Sequence, residues 1–156
     1  MLEIVIPGYK KLQLEFLVLD YNGTLACDGA LLDGVGERLK TLAKTLKIYV
    51  LTADTFGKAI EELDGIPCEL KILPPGDQDL GKLDFIKQLG TDTTVCIGNG
   101  RNDLRMVKSA ALGIVVVQEE GAAVETLLAA DVVCPSIHSA LELLISPLRL
   151  VATLRS

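Results

Sequence analysis

The sequence holds a single histidine, His138, and no two cysteines at the spacing of a metal-binding pair. One imidazole rules out a multi-histidine metal centre and argues against Ser-His-Asp catalysis. Nothing near His138 suggests a nucleophile, so it is read as a helix residue without a chemical role. Cys27, Cys68, Cys96 and Cys134 include no Cys-x-x-Cys motif and are read as reduced, structural thiols. Long apolar runs are missing as well. Although 49% of the 156 residues are hydrophobic, no uninterrupted stretch approaches the roughly 18 residues of a membrane helix. The apolar excess instead fits a sheet covered on both faces. Positive charge is scarce: 15 lysines and arginines against 21 acidic residues give a net charge of −6. That balance excludes a general nucleic-acid surface, and an anionic substrate would have to be held by local cations. Met1-Leu2-Glu3-Ile4-Val5 carries neither a basic region nor a long apolar core. No signal peptide is expected, and the expected location is the cytoplasm.

What is present is an alternation of short apolar strands and amphipathic helices. The length fits one domain, residues 1–156, and no repeat, low-complexity tract or linker interrupts it. Residues 2–6 and 11–15 flank Pro7-Gly8-Tyr9-Lys10 and predict a small hairpin. Strands are expected at Phe16–Asp20, Ile48–Thr52, Cys68–Leu73, Thr93–Ile97, Gly113–Val117 and Val132–Cys134. Helices are expected over 34–46, around Ala59–Leu63 with Thr55 as a cap, over 78–89, from the Asn99–Asp103 turn to Ala110, over 121–130 and 136–145, and from Pro147 onward. The turn-rich stretch Leu25–Leu32 is a candidate flap. This order predicts an α/β sheet of mostly parallel strands with helices on both faces. Leu148, Val151 and Leu154 could form a self-association face, though packing within the same subunit is favoured.

Three of these strands end in polar groups suited to one reaction: Asp20, Thr52, and the turn Gly98-Asn99-Gly100-Arg101-Asn102-Asp103. Right-handed crossovers would bring those ends to one edge of the sheet. A carboxylate at such an edge suits nucleophilic attack on phosphorus, and Mg²⁺ suits the carboxylate, carbonyl and phosphate oxygens that would surround it. Each piece has a plainer reading. Asp20-Tyr21-Asn22-Gly23 taken alone is equally an ordinary turn, because Asn-Gly is a strong turn dipeptide. Thr52 or Thr55 could simply cap a helix. Lys82 could be a solvated surface lysine. The glycine-rich turn lacks the third glycine and the spacing of a dinucleotide site.

In order and spacing the motifs resemble the haloacid dehalogenase (HAD) superfamily, whose first signature is an apolar strand followed by Asp-x-Asp-Gly-Thr. Here that stretch is Phe16-Leu17-Val18-Leu19-Asp20-Tyr21-Asn22-Gly23-Thr24. Val50-Leu51-Thr52-Ala53-Asp54 resembles the second motif. Gly98 to Asp103, with Ala110–Ile114 and Leu128–Val133 downstream, resembles the Gly-Asp-Gly-x-Asn-Asp region of P-type ATPases. The likeness covers roughly residues 15–134 and is strongest to soluble P-type ATPase-like proteins. It implies a HAD-like, Rossmannoid three-layer sandwich without a cap domain. It also implies a Mg²⁺-dependent phosphatase acting on a small phosphate ester or acyl phosphate through an aspartyl phosphate at Asp20. Asn22, Thr52 and Lys82 would share the catalytic site with Asp20. Gly23, Thr24, Thr52, Ala53, Lys82 and Asn102 would bind phosphate, and Asp20, Asn22, Asn99 and Asp103 would hold the metal. Lys71 and Lys87 compete with Lys82 for the bridging lysine.

Two departures matter. Asn22 replaces the usual acid–base aspartate, and Asn99 replaces a charged metal ligand with a neutral one. Both predict slow turnover. They also leave room for a non-catalytic or regulatory domain that binds phosphate or a protein partner. A phospho-accepting receiver domain is a third reading, disfavoured because receivers carry a lysine at a strand end where this chain has the glycine-rich turn. No nucleic-acid or membrane partner is expected, and a homo-oligomer is left open.

Overall fold

The computed structural model describes residues 1–54 and 57–156, so the expected cap Thr55 lies outside the described residues. The chain opens with an antiparallel hairpin of β1 (Leu2–Ile6) and β2 (Lys10–Leu14). The strand β3 (Phe16–Asp20) follows at once, and residues Leu17 to Asp20 are all buried. A run without a polar partner position can only sit inside a sheet covered on both sides. After β3 come β4 (Ala26–Cys27) and β5 (Ala30–Leu31), a minimal hairpin in the expected flap. Next are α1 (Val35–Leu42), β6 (Lys47–Thr52), α2 (Ala59–Glu62), β7 (Glu69–Ile72), α3 (Gln78–Leu89) and β8 (Thr94–Gly98). A 3₁₀ turn, Arg101–Asp103, leads into α4 (Leu104–Ser109). The chain ends with β9 (Leu112–Val116), α5 (Val124–Ala129), β10 (Val132–Cys134), α6 (Ile137–Ile145) and α7 (Pro147–Leu154).

Among the described residues six strands form one parallel sheet in the order β10-β9-β8-β3-β6-β7. β3 is therefore central, paired with β6 on one side and β8 on the other. The chain first builds outward from β3 through β6 to β7, then α3 carries it back across to β8. That reversal opens a crevice at the carboxyl ends of the strands, where α/β sheets place ligands.

Alternation along the strands divides the core into two layers. Leu17, Leu19, Ile48, Val50, Val95 and Ile97 pack with the N-terminal hairpin, α1, α6 and Leu150 of α7. Val18, Leu51 and Cys96 face the other way, onto Ile86 of α3 and Met106 and Val107 of α4. The sandwich expected from the sequence is thus present, with α3 and α4 forming the layer that overhangs the crevice.

Helix ends differ from the sequence reading by a few residues. α1 stops at Leu42 rather than 46, where the Thr45 hydroxyl donates to the Leu42 carbonyl and the backbone turns into β6. At the other end of the chain, Pro147 occupies the first turn of α7, as its fixed φ favours. The break at Ser146 bends α6 and α7 by 101°. Among the described residues no single helix is long and apolar enough to cross a membrane. Val151 and Leu154 pack against the core of their own chain, whereas Leu148 is exposed.

Candidate active site

Because the sheet is parallel, β3, β6 and β8 all deliver their C-terminal residues to one edge. Asp20 ends β3, Thr52 ends β6, and Asn99 follows Gly98 at the end of β8. A cavity of about 140 Å³ opens there. Its walls include Asp20, Asn22, Thr52, Ala53, Lys82, Asn99 and Asn102, seven of the residues singled out by sequence, together with Gln78 and Gly100.

The centre of the cluster is Lys82. Its ammonium donates to Asp20 Oδ1 at 2.8 Å and to Asp103 Oδ1 at 2.6 Å, and its side chain is 1% exposed. Burial disfavours a charged ammonium, but the charges of Asp20 and Asp103 and their hydrogen bonds outweigh it and raise its pKa, so Lys82 stays protonated. The two rival lysines are elsewhere: Lys71 is exposed and paired with Glu69, and Lys87 is exposed near the end of α3.

Asp103 does not line the cavity. Its second oxygen accepts from the backbone N–H of Asn99 at 3.0 Å and of Gly100 at 2.9 Å, tying the glycine-rich turn into a closed loop. It reaches the cavity through Lys82. Gly98 permits this packing, since a Cβ there would lie 2.5 Å from the Asp103 carboxylate carbon.

Asp20 is buried, and that burial, followed by the nearby charge of Asp103, pushes its carboxyl up from 3.8 to about 6 against the pull of Lys82 and Thr24. The Thr24 hydroxyl is fully buried and lies 3.1 Å from Asp20 Oδ2 and 3.3 Å from Asn99 Oδ1. Thr24 thus backs Asp20 rather than lining the cavity. Gly23 stands behind it with φ +80°, and a Cβ would meet the Asn99 amide at 2.3 Å. Thr52 is buried and its hydroxyl oxygen accepts from the Asp54 N–H at 2.9 Å, so the hydroxyl proton is left to turn toward the cavity. Asn102 donates to the Gln78 side chain at 3.2 Å.

The oxygens gathered here suit a hard divalent cation. Asp20 and Asn99 both line the cavity and both carry side-chain oxygens. The buried Asn22 Oδ1 has no hydrogen-bond partner among the described residues, and a buried orphan acceptor calls for one. Two carboxylates against one ammonium leave the cluster with one negative charge in excess. That excess favours a cation before an anion can enter.

Three residues escaped the sequence reading. Gln78 lies one helical turn before Lys82 on the same face of α3, a spacing that could have marked it. Gln118 donates to the carbonyls of Gly23 at 3.2 Å and Thr24 at 2.9 Å and accepts from the Ile137 N–H at 2.8 Å, so it clamps the turn after Asp20. Thr126 donates to the Gly100 carbonyl at 2.9 Å. No sequence signal distinguishes Gln118 or Thr126.

No family model matches the chain. The uncharacterised protein MJ0073 of Methanocaldococcus jannaschii is 39% identical over 84 residues, covering 51% of this chain and 90% of that protein. The chain belongs to the same family as this archaeal protein. A second uncharacterised protein of that organism, MJ0072, is 51% identical over 39 residues, 25% of this chain and 89% of that protein. Solved structures reveal the fold. The cobalt-bound deoxy-D-mannose-octulosonate 8-phosphate phosphatase of Haemophilus influenzae superposes with a TM-score of 0.71 at 16% identity, over 85% of this chain and 88% of that one. The corresponding phosphatase of Moraxella catarrhalis, solved with magnesium, phosphate and its KDO molecule, gives 0.72 at 17% identity, over 90% and 92%. A HAD-superfamily hydrolase of Legionella pneumophila gives 0.71 at 18% identity, over 90% and 88%. The chain therefore has the fold of these HAD phosphatases.

Proposed function

We propose that the chain is a capless, single-domain HAD phosphohydrolase that uses Mg²⁺ and forms an aspartyl phosphate at Asp20. The observation that carries this reading is the buried Asp20–Lys82–Asp103 cluster at the switch point of the sheet. A buried ion triad is a poor way to gain stability, because desolvation consumes most of the attraction. Its place at a strand-end cavity is better explained by chemistry.

In the first step an Asp20 carboxylate oxygen attacks phosphorus. The bond to the leaving-group oxygen breaks, and that oxygen departs with the electron pair and takes up a proton from solvent water. Lys82 offsets charge on the transferring group, with hydrogen bonds from Thr52, the backbone at Ala53 and Asn102. In the second step water attacks the same phosphorus, the bond to Asp20 breaks, and phosphate leaves with the carboxylate restored. Asp20, Asn99 and Asn22 would hold Mg²⁺, which supplies charge neutralisation between carboxylate and phosphate. Thr24 and Gln118 keep the nucleophile and its turn in place.

Asn22 cannot move a proton, so water activation in the second step lacks the usual base and breakdown of the phosphoenzyme is slow. The P-type ATPase-like motifs support the same order of events. A small phosphorylated molecule is the substrate class, and the cytoplasm is its place of action. Neutral Asn22 and Asn99 favour one second reading, a regulatory domain that binds phosphate without turnover. Metal-dependent hydrolysis of an aryl phosphate separates the two. Turnover by wild type and none by a folded Asp20→Asn variant is the expected result. Full activity in Asp20→Asn would remove Asp20 from the mechanism, and a wild type that binds phosphate without turnover would favour the regulatory reading.

A further inference from the structure

The cavity at Asp20 is small. Sites for whole small molecules occupy roughly 300–1,000 Å³, and about 140 Å³ takes little more than a phosphoryl group and its counter-ion. The rest of the substrate must lie elsewhere. A groove of about 650 Å³ adjoins the cavity and shares Gln78 and Asn102 with it as a common wall.

The chemistry of that groove is distinctive. Among the described residues Leu104 is its one apolar side chain and no aromatic ring lines it, so they offer neither a nucleobase nor an acyl chain a surface to pack on. Arg101, Arg105 and Lys108 line it at helical spacing, one above the other along the 3₁₀ turn and α4. Carboxylates line it as well: Asp77 and Asp79 at the start of α3, and Glu125 in α5. One of these pairs is closed, with Arg105 Nε donating to Asp79 Oδ2 at 2.8 Å. Among the described residues, Arg101 forms no ion pair and is exposed. In sequence it adjoins Asn102, part of the wall that the groove shares with the cavity. In a chain of net charge −6, an exposed guanidinium that lines this groove suits an anion contact.

We infer that the groove selects a substrate whose leaving group is a polar, aliphatic skeleton with a second anionic group, and that Arg101 binds that group. Asp77 and Glu125 accept hydrogen bonds from its hydroxyls. The inference rests on the phosphatase reading and names the substrate class of that site. Arg101 acts on specificity, because it meets the part of the molecule that does not react.

A matched pair of probes tests this. 3-Phosphoglycerate and glycerol 3-phosphate share a three-carbon skeleton and a phosphate, and only the first carries a carboxylate. Turnover and calorimetric binding of both are measured with Mg²⁺, for wild type and for Arg101→Gln, beside wild-type turnover of an aryl phosphate. A charge-assisted contact predicts that wild type favours 3-phosphoglycerate by roughly ten- to hundredfold in kcat/KM and in Kd. Arg101→Gln should bring both ratios close to one. Aryl phosphate turnover with a ratio near one in wild type, or a preference unchanged in Arg101→Gln, overturns the inference and leaves the phosphatase reading standing. Absence of all turnover with the binding preference intact does the reverse: the anion site holds and the phosphatase reading falls. Absence of both turnover and preference overturns both.

Discussion

Replacing Lys82 by methionine keeps the length of the side chain and removes its charge. In the wild type the ammonium is 2.8 Å from Asp20 and 2.6 Å from Asp103, with 1% of the side chain exposed. Its loss strands two carboxylates in one buried site. Removing one member of a buried ion pair costs about 3–5 kcal/mol, and that is the expected penalty for Lys82→Met near pH 8 without metal. The penalty should depend on pH, with a sign fixed by Asp20. Burial, then the charge of Asp103, hold that carboxyl at about 6, above its ordinary 3.8, even with Lys82 in place. Without the ammonium it moves higher. A carboxyl whose folded pKa exceeds its unfolded value takes up a proton on folding, so stability falls as pH rises from the unfolded toward the folded value. At about 1.4 kcal/mol per pH unit, Asp20 costs the metal-free wild type on the order of 3 kcal/mol between about pH 4 and pH 6. In Lys82→Met the loss is larger and extends to higher pH. Urea unfolding of both proteins in chelator at about pH 5 and pH 8 measures it, and the difference between them cancels the exposed carboxylates. A penalty below about 1 kcal/mol at pH 8, or an equal penalty at both pH values, would refute this account of the cluster.

Two further substitutions probe the neutral residues of the site. Asn99→Asp adds a charge to a residue that lines the cavity and should tighten Mg²⁺ roughly ten- to hundredfold, read by calorimetric titration at fixed pH; equal affinities would mean that residue 99 does not meet the metal. Asn22→Asp restores a proton-transferring group, and general acid–base assistance is worth roughly 10²- to 10⁴-fold. Rapid-quench labelling should show wild type accumulating phosphoenzyme and Asn22→Asp clearing it faster, and identical loss of label would rule out Asn22 as the limiting residue. Asn22 and Asn99 both precede glycine, so intact-mass measurement for deamidation belongs with both experiments.

Much of the fold was legible because its signals are local. Val132–Cys134 and the helix over 78–89 fall where the sequence puts them, since an apolar run or a helical stripe bounded by turn residues carries its own limits. The convergence of Asp20, Thr52 and Asn99 was legible too, because parallel strands leave little freedom over which edge receives their ends. Lys82 shows where local reasoning stops. A lysine near the start of an amphipathic helix reads as solvated, and its burial follows only from α3 crossing back over β3. Asp103 likewise reads as the one acid of a polar turn facing the site, whereas its two oxygens are already engaged by Lys82 and by the N–H groups of Asn99 and Gly100. Gln118 reaches the turn after Asp20 from 94 residues further along the chain, and no periodicity or motif reports a contact of that kind.

The central position of β3 also has a temporal side. A ribosome releases Asp20 early, yet the strand that bears it is flanked by β6 and by β8, and Lys82 and Asp103 emerge only with the later half of the chain. Until then Phe16–Asp20 is a strand with one side unpaired, the kind of edge that invites pairing with other chains. Most of the sheet contacts link distant segments, which makes folding slow relative to helical proteins of this size. A partly synthesised chain is thus an aggregation hazard before its strand-end cluster exists, and Asp20 gains its buried partners only once Lys82 and the glycine-rich turn are in place.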